Sequence, residues 1–188
     1  MEHKCDWDME IINGQDQYYE EVLRLCDERF GTGYIDRAEY NHWMEHPELF
    51  KIGLVNGDFG GYVVMYPSEE AEISDKLDMP VTDIREIAGK KPKLYYKSAA
   101  VKKKYEHCGL IVPLTTAVLE EAYQTGYGSL FGSAWMYDGK IPLRSSLEKL
   151  GFRALYPRKM LWYGDEAYTC VICGGWCACD AMVYCREI

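Results

Sequence analysis

Residues 94–119, LYYKSAAVKKKYEHCGLIVPLTTAVL, carry the residue types needed to hold a diphosphate. An apolar run rich in aromatic and small residues predicts a strand. Three lysines and a turn closing on Gly109 follow, and then the spacing of an amphipathic helix. The first amides of a helix have no partner inside it and point out of its end. The helix dipole puts partial positive charge at the same point. The amides from Glu106 through His107, Cys108, Gly109 and Leu110 to Ile111 are therefore candidates to grip phosphate through the main chain. Seven lysines and no acid lie between Lys90 and Lys104, in a chain of formal net charge −9. Two readings fit that stretch: a strand edge kept soluble by charge, and a site for one specific polyanion. Cys108 is either a thiol activated by the helix end or a small residue filling the turn. His107 is either a phosphate contact or a solvated loop histidine.

The second group is Cys170, Cys173, Cys177 and Cys179, in the run YTCVICGGWCAC. Cys-x-x-Cys with a Gly-Gly turn is a metal knuckle, and four thiolates complete a structural zinc shell. The second pair has one intervening residue, which is not a standard knuckle spacing, and Cys185 is a substitute ligand. A thiol-rich turn without metal and a redox pair are the alternatives.

The elements that position these residues follow from pattern. Residues 9–12 predict a short strand, and apolar spacing from Gln15 to Phe30 predicts a helix that Gly31 and Gly33 stop. Asp36 is a candidate N-cap for a second helix reaching His46, with Pro47 beyond it. Asn56-Gly57 between two apolar runs, 49–55 and 59–66, predicts a hairpin, with Gly60-Gly61 bulging its second strand. Residues 67–89 are acidic and read as an insertion of one helix and a loop. The helix from Leu110 to Gln124 keeps Pro113 in its first turn, where proline is tolerated. A strand over 130–136, a helix over 141–150, a strand pair over 152–156 and 159–163 with Pro157 between, and a last strand over 181–186 complete the chain. This order predicts an α/β (α+β) fold: one mixed, mainly antiparallel sheet of six to seven strands with helices on both faces.

The 188 residues suffice for one domain, 1–188, with a cysteine-rich C-terminal edge over 165–188. The acidic balance argues against nucleic acid or an anionic membrane as the main partner. No apolar run spans a bilayer and no signal peptide is evident, so a cytoplasmic location is expected, where cysteines are thiols or metal ligands. Oligomeric state is not legible.

Residues 94–152 resemble the acetyl-CoA-binding core of the GNAT superfamily of N-acetyltransferases. In that family a strand ends in a small residue and Val, an Arg/Gln-x-x-Gly-x-Gly/Ala loop follows, and a helix begins. Here Ala100-Val101 end the strand and Gly109 matches the first family glycine. Glu106 stands where Arg or Gln is usual, and Ile111 where Gly or Ala is usual. Downstream, Leu147-Glu148-Lys149-Leu150-Gly151-Phe152 is similar to the family's Tyr-Glu-Lys-Leu-Gly-Phe. The resemblance implies acetyl transfer from acetyl-CoA to a small-molecule or protein amine, directly and in a ternary complex. It implies that the backbone of Ser98, Ala99, Ala100 and Val101 holds the pantetheine arm; small side chains suit that approach, as they suit a tightly packed strand. The usual acid position is Leu147, beside Ser145 and Ser146. The neighbourhood of the usual base holds Tyr95 and Lys97. Tyr95 and Tyr137 are the candidates for proton handling. Tyr40, His42 and Trp43 either border the acceptor or pack on the sheet. A non-catalytic acyl-CoA sensor and a zinc-stabilised interaction domain are the rival readings.

Overall fold

The computed structural model describes residues 8–164 and 168–188. Strand β1 (Met9–Asn13) leads into helix α1 (Tyr19–Arg29). A two-residue strand β2 (Gly31–Thr32) precedes α2 (Arg37–Trp43), which Asp36 caps by accepting the Glu39 amide at 2.8 Å. The hairpin β3 (Phe50–Val55) and β4 (Asp58–Pro67) turns through Asn56 and Gly57, both with positive φ. Its register shifts so that Gly60 is the extra residue of a bulge, as the glycine pair predicts.

The acidic insertion is two helices, α3 (Glu70–Leu77) and α4 (Val81–Ala88), rather than one helix and a loop. Leu77, Val81, Ile84 and Ile87 read as one stripe. Asp78 turns left-handed (φ 47) and Pro80, which disfavours helix in the residue before it, restarts the chain. Strand β5 (Lys93–Val101) and helix α5 (Ile111–Thr125) follow, then β6 (Ser129–Met136) and α6 (Arg144–Lys149). The expected strand pair around Pro157 is a single strand, β7 (Arg153–Arg158), running through the proline. β7 is the sheet's edge and its register breaks between Ala154 and Pro157, so the missing N–H leaves no ladder bond unmade. Residues 159–164 are turn. Two-residue β8 (Thr169–Cys170) and β9 (Asp180–Glu187) close the chain.

The main sheet has seven strands in the order β1-β3-β4-β5-β6-β9-β7, and only β5 and β6 run parallel. Strand alternation sends neighbours to opposite faces. Tyr95 joins Tyr40, Trp43, Tyr62 and Ile73 under α1–α4, whereas Tyr96 joins Leu114, Val118 and Leu147 under α5 and α6. A small second sheet pairs β2 with β8.

Candidate active site

The parallel β5–β6 ladder is short. It joins Lys93–Tyr96 to Ser129–Gly132 and stops. Both strands continue: β5 stays paired with β4 to Val101, and β6 stays paired with β9 to Met136. The local cause is a bulge. Val64 faces Ser98 and Met65 faces Tyr96, leaving Lys97 as the extra residue on β5. A bulge bends its strand, and this one lies at the point where the β5–β6 pairing ends. The gap opens into a cavity of about 320 Å³. Residues 97–101 line one side and Ser133, Ala134 and Trp135 the other. Ser98, Ala99 and Ala100 are buried and small, so main chain is close to the cavity.

One end of the cavity meets Glu106 and Ile111, at the start of α5. The loop alternates handedness: His107 has φ 61, Gly109 φ 78, and Leu110 is right-handed. Such alternation turns successive amides to one concave side, an anion-binding nest. The Glu106 amide is taken by Lys103 O at 3.2 Å and that of Cys108 by Tyr105 O at 3.4 Å. Among the described residues, no main-chain carbonyl takes the amides of His107, Gly109, Leu110 or Ile111. A side chain added at Gly109 would meet nothing within 4 Å, so the loop faces open space.

Arg29, at the end of α1, reaches the same place. Its Nε and Nη2 donate to the Val101 carbonyl at 3.0 and 2.9 Å, and Nη2 lies 2.7 Å from Glu106 Oε1. The lysines divide. Lys93 is buried, donating to Gly89 O and Lys91 O and pairing with Glu70. Lys97 pairs with Glu39 at 3.2 Å and lies over the Tyr34 ring. Lys102 lies over Phe59, and Lys104 near Asp58 and over Tyr105. Lys103 is exposed.

Tyr95 and Tyr137 both line the cavity. Burial pushes the Tyr95 phenol up to about 12, against the opposing charge of Lys97 and a hydrogen bond with Ser133. Tyr137 stacks on Trp135 at 5.2 Å and begins a tight turn with Lys140. Tyr34, which the residue pattern did not single out, also lines the cavity and donates to Lys97 O at 3.4 Å. Behind it lies a buried chain in which the Tyr62 hydroxyl bonds Ser98 Oγ at 2.7 Å and Cys26 Sγ at 2.9 Å. Tyr40 and Trp43 are fully buried in the core, and His42 meets Tyr66 edge to face; none of the three lines the cavity.

No protein-family model and no curated protein matches the sequence. Solved structures do match in shape. Arabidopsis thaliana NAA60 in complex with acetyl-CoA superposes with TM-score 0.72 at 10% identity, over 96% of this chain and all (100%) of that one. The ribosomal-protein-S18-alanine N-acetyltransferase of Escherichia coli gives 0.65 at 13%, over 96% and 94%. Agmatine N-acetyltransferase gives 0.65 at 10%, over 96% and 100%. The chain has the GNAT acetyltransferase fold.

Within this GNAT fold, Leu147 on α6 is buried in the core with Leu114 and Val118. Ser145 is exposed, and neither it nor Ser146 lines the cavity.

Beside the cavity's other end, the sulfurs of Cys170, Cys173, Cys177 and Cys179 all lie within 4.8 Å of one another. None is in a disulfide, and Cys173 and Cys179 are 3.6 Å apart. Four sulfurs at a zinc–sulfur distance of about 2.3 Å in a tetrahedron sit about 3.8 Å apart, so the set fits that ion. The donors around it suit thiolates. The Ala178 amide donates to Cys173 Sγ at 3.4 Å. Burial works to raise the Cys170 thiol, but amides of Cys173 and Ile172 and the Tyr168 hydroxyl outweigh it and leave the thiol below its ordinary value. Burial raises Cys179, and the Trp135 indole N–H, buried without a well-formed hydrogen bond, opposes that rise. Cys185 lies on β9 under the sheet, in the core with Phe131 and Val183, and is not one of the four.

Proposed function

We propose that the protein transfers an acetyl group from acetyl-CoA to a primary amine, by direct attack in a ternary complex. The observation that carries this reading is the gap between β5 and β6, which runs from Tyr95 to a helix end with free amides. Beyond Tyr96 the β5 backbone at 98–101 is not paired with β6, and an amide-bearing arm threaded through the gap would pair with it there. The amides of His107, Gly109, Leu110 and Ile111 are assigned to the diphosphate, with the helix dipole behind them. Glu106 and Cys108 contribute position, their own amides being engaged within the loop. Arg29 pairs with Glu106, the residue at the family motif's Arg/Gln position, and neutralises it beside the proposed phosphate site.

The chemistry needs proximity and two proton movements. The amine nitrogen attacks the thioester carbonyl and gives up one proton to water or a base, the carbon–sulfur bond breaks, and the departing sulfur takes a proton. Tyr95 stays protonated across the working range, so its role is to donate a hydrogen bond or a proton, not to act as base. Tyr137, on the opposite strand's exit, is the second candidate. The four thiolates are assigned one zinc ion; with all four positions filled it is structural and supplies no open site for chemistry.

Leu147 in the acid position favours a second reading, a non-catalytic acyl-CoA sensor. Purified protein incubated with acetyl-CoA and a panel of amines, with free thiol release recorded, separates the two. Turnover is expected with at least one amine, falling at least tenfold in Tyr95→Phe or Tyr137→Phe. Acetyl-CoA binding with no turnover across the panel would leave the sensor, and no binding would sink both.

A further inference from the structure

Five of the rings that line the cavity also pack on the cysteine knuckle: Phe30, Tyr34, Trp135, Tyr137 and Trp162. A sixth, Tyr168, belongs to the knuckle's own buried cluster and hydrogen-bonds Cys170 and Cys177. One wall of the cavity is therefore backed by the four cysteine sulfurs. Among the described residues, none of the apolar side chains at 98–101 or 106–111 belongs to that cluster.

Among the described residues, few main-chain bonds fasten the knuckle to the rest of the fold. β8 pairs with β2 over two residues, and the Val171 amide donates to Phe30 O at 2.9 Å. A ladder that short is not stable by itself. Yet the fit is close: Gly31 has φ +131, and a Cβ there would lie 1.8 Å from the Thr169 carbonyl oxygen. A segment so lightly bonded keeps so tight a register only if something fixes its shape. Inside the knuckle two bonds do so locally, Gly174 N to Cys170 O and Cys170 N to Gly175 O, each 2.9 Å. The four converging sulfurs complete the set.

We infer that one divalent metal ion, zinc by its donor set, held by Cys170, Cys173, Cys177 and Cys179, fixes the aromatic wall of the acceptor compartment. Metal occupancy then governs how the amine is held and leaves the phosphate end untouched. The word acceptor rests on the acetyltransferase reading; the dependence of the wall on metal does not.

The experiment compares protein as purified, the same protein stripped with a chelator under reducing conditions, and Cys173→Ser. Metal is counted by elemental mass spectrometry, backbone protection by hydrogen exchange, and acetyl-CoA affinity by calorimetry. One zinc per chain is expected. Its removal should speed exchange at least tenfold over residues 29–34 and 168–179, with 93–101 and 111–125 unchanged. The acetyl-CoA Kd should stay within twofold, while the KM of any amine that turns over rises at least tenfold. Chelation of folded protein covers the case in which Cys173→Ser does not fold. Protein that is metal-free as purified, or whose wall exchanges equally with and without metal, overturns the inference. If acetyl-CoA does not bind, the transferase reading fails, and metal content and exchange still judge the wall.

Discussion

Replacing Arg29 with alanine removes a fork that at once holds the end of β5 and neutralises Glu106. The Val101 carbonyl loses two donors from a charged group, at 3.0 and 2.9 Å. Hydrogen bonds to charged groups are worth about 1.5–3 kcal/mol. The Glu106 side chain is 39% exposed, so its ion pair adds no more than about 0.5 kcal/mol. A loss of about 2–3 kcal/mol follows, which lowers Tm by about 5–10 °C in a chain of this size. The effect on ligand has a different origin. At an assumed separation of about 8 Å, the unpaired Glu106 carboxylate would repel a bound phosphate charge by about 0.5–2 kcal/mol, depending on screening. Acetyl-CoA should therefore bind about tenfold more weakly. Calorimetry and thermal melts on three proteins separate the two effects. Adding Glu106→Gln to Arg29→Ala should restore most of the affinity and none of the Tm, because the carboxylate is gone but the Val101 carbonyl is still unpaired. The reasoning is refuted if Arg29→Ala binds acetyl-CoA within twofold of wild type, or if the double variant binds no better than the single.

Tyr62→Phe should cost about 1–3 kcal/mol by urea denaturation, since it strands the buried Ser98 hydroxyl and Cys26 thiol together. Acid titration of stability should carry a contribution from Glu39. Burial raises its carboxyl, but Lys97 and the Trp43 indole N–H prevail and hold it below 4.5, so this contribution is present above that pH and is lost as pH falls below it. Lys97→Met should flatten that acid limb in melts between about pH 3 and 5; an unchanged limb would refute the assignment. Because burial keeps the Tyr95 phenol protonated to about 12, Tyr95→Phe should lower kcat by a constant factor from neutral to mildly alkaline pH, with no shift of the profile's midpoint. A shifted midpoint would make Tyr95 the titrating base.

What residue pattern could reveal was local. Asn56-Gly57, the Asp36 cap and the alternation of the strands are decided by neighbours in sequence, and they folded as the pattern predicts. The errors have local causes too. Pro80 and the left-handed Asp78 divide one apolar stripe into two helices. Pro157 looked like a break because strand interiors exclude proline, and edge position cannot be seen from one strand. The hidden part of the site was the part assembled across distance. Nothing near Arg29 in sequence announces that it will meet Val101 and Glu106. The bulge at Lys97 has no glycine to mark it. Phe30, Tyr34 and Trp162 read as ordinary aromatics until the knuckle and the cavity are seen to share them.

The four-rung junction between Lys93–Tyr96 and Ser129–Gly132 divides the seven strands into a block of four and a block of three. Each block keeps its own antiparallel ladders, and the seam between them is open for half its length. A molecule threaded along that seam, as proposed for acetyl-CoA, would act as an eighth member of the sheet, bonded to both blocks. Binding of that kind adds RT ln(1 + [L]/Kd) to the folding free energy. The seam should thus respond to its ligand as a zip does to its slider, with the two blocks free to breathe apart when the slider is absent.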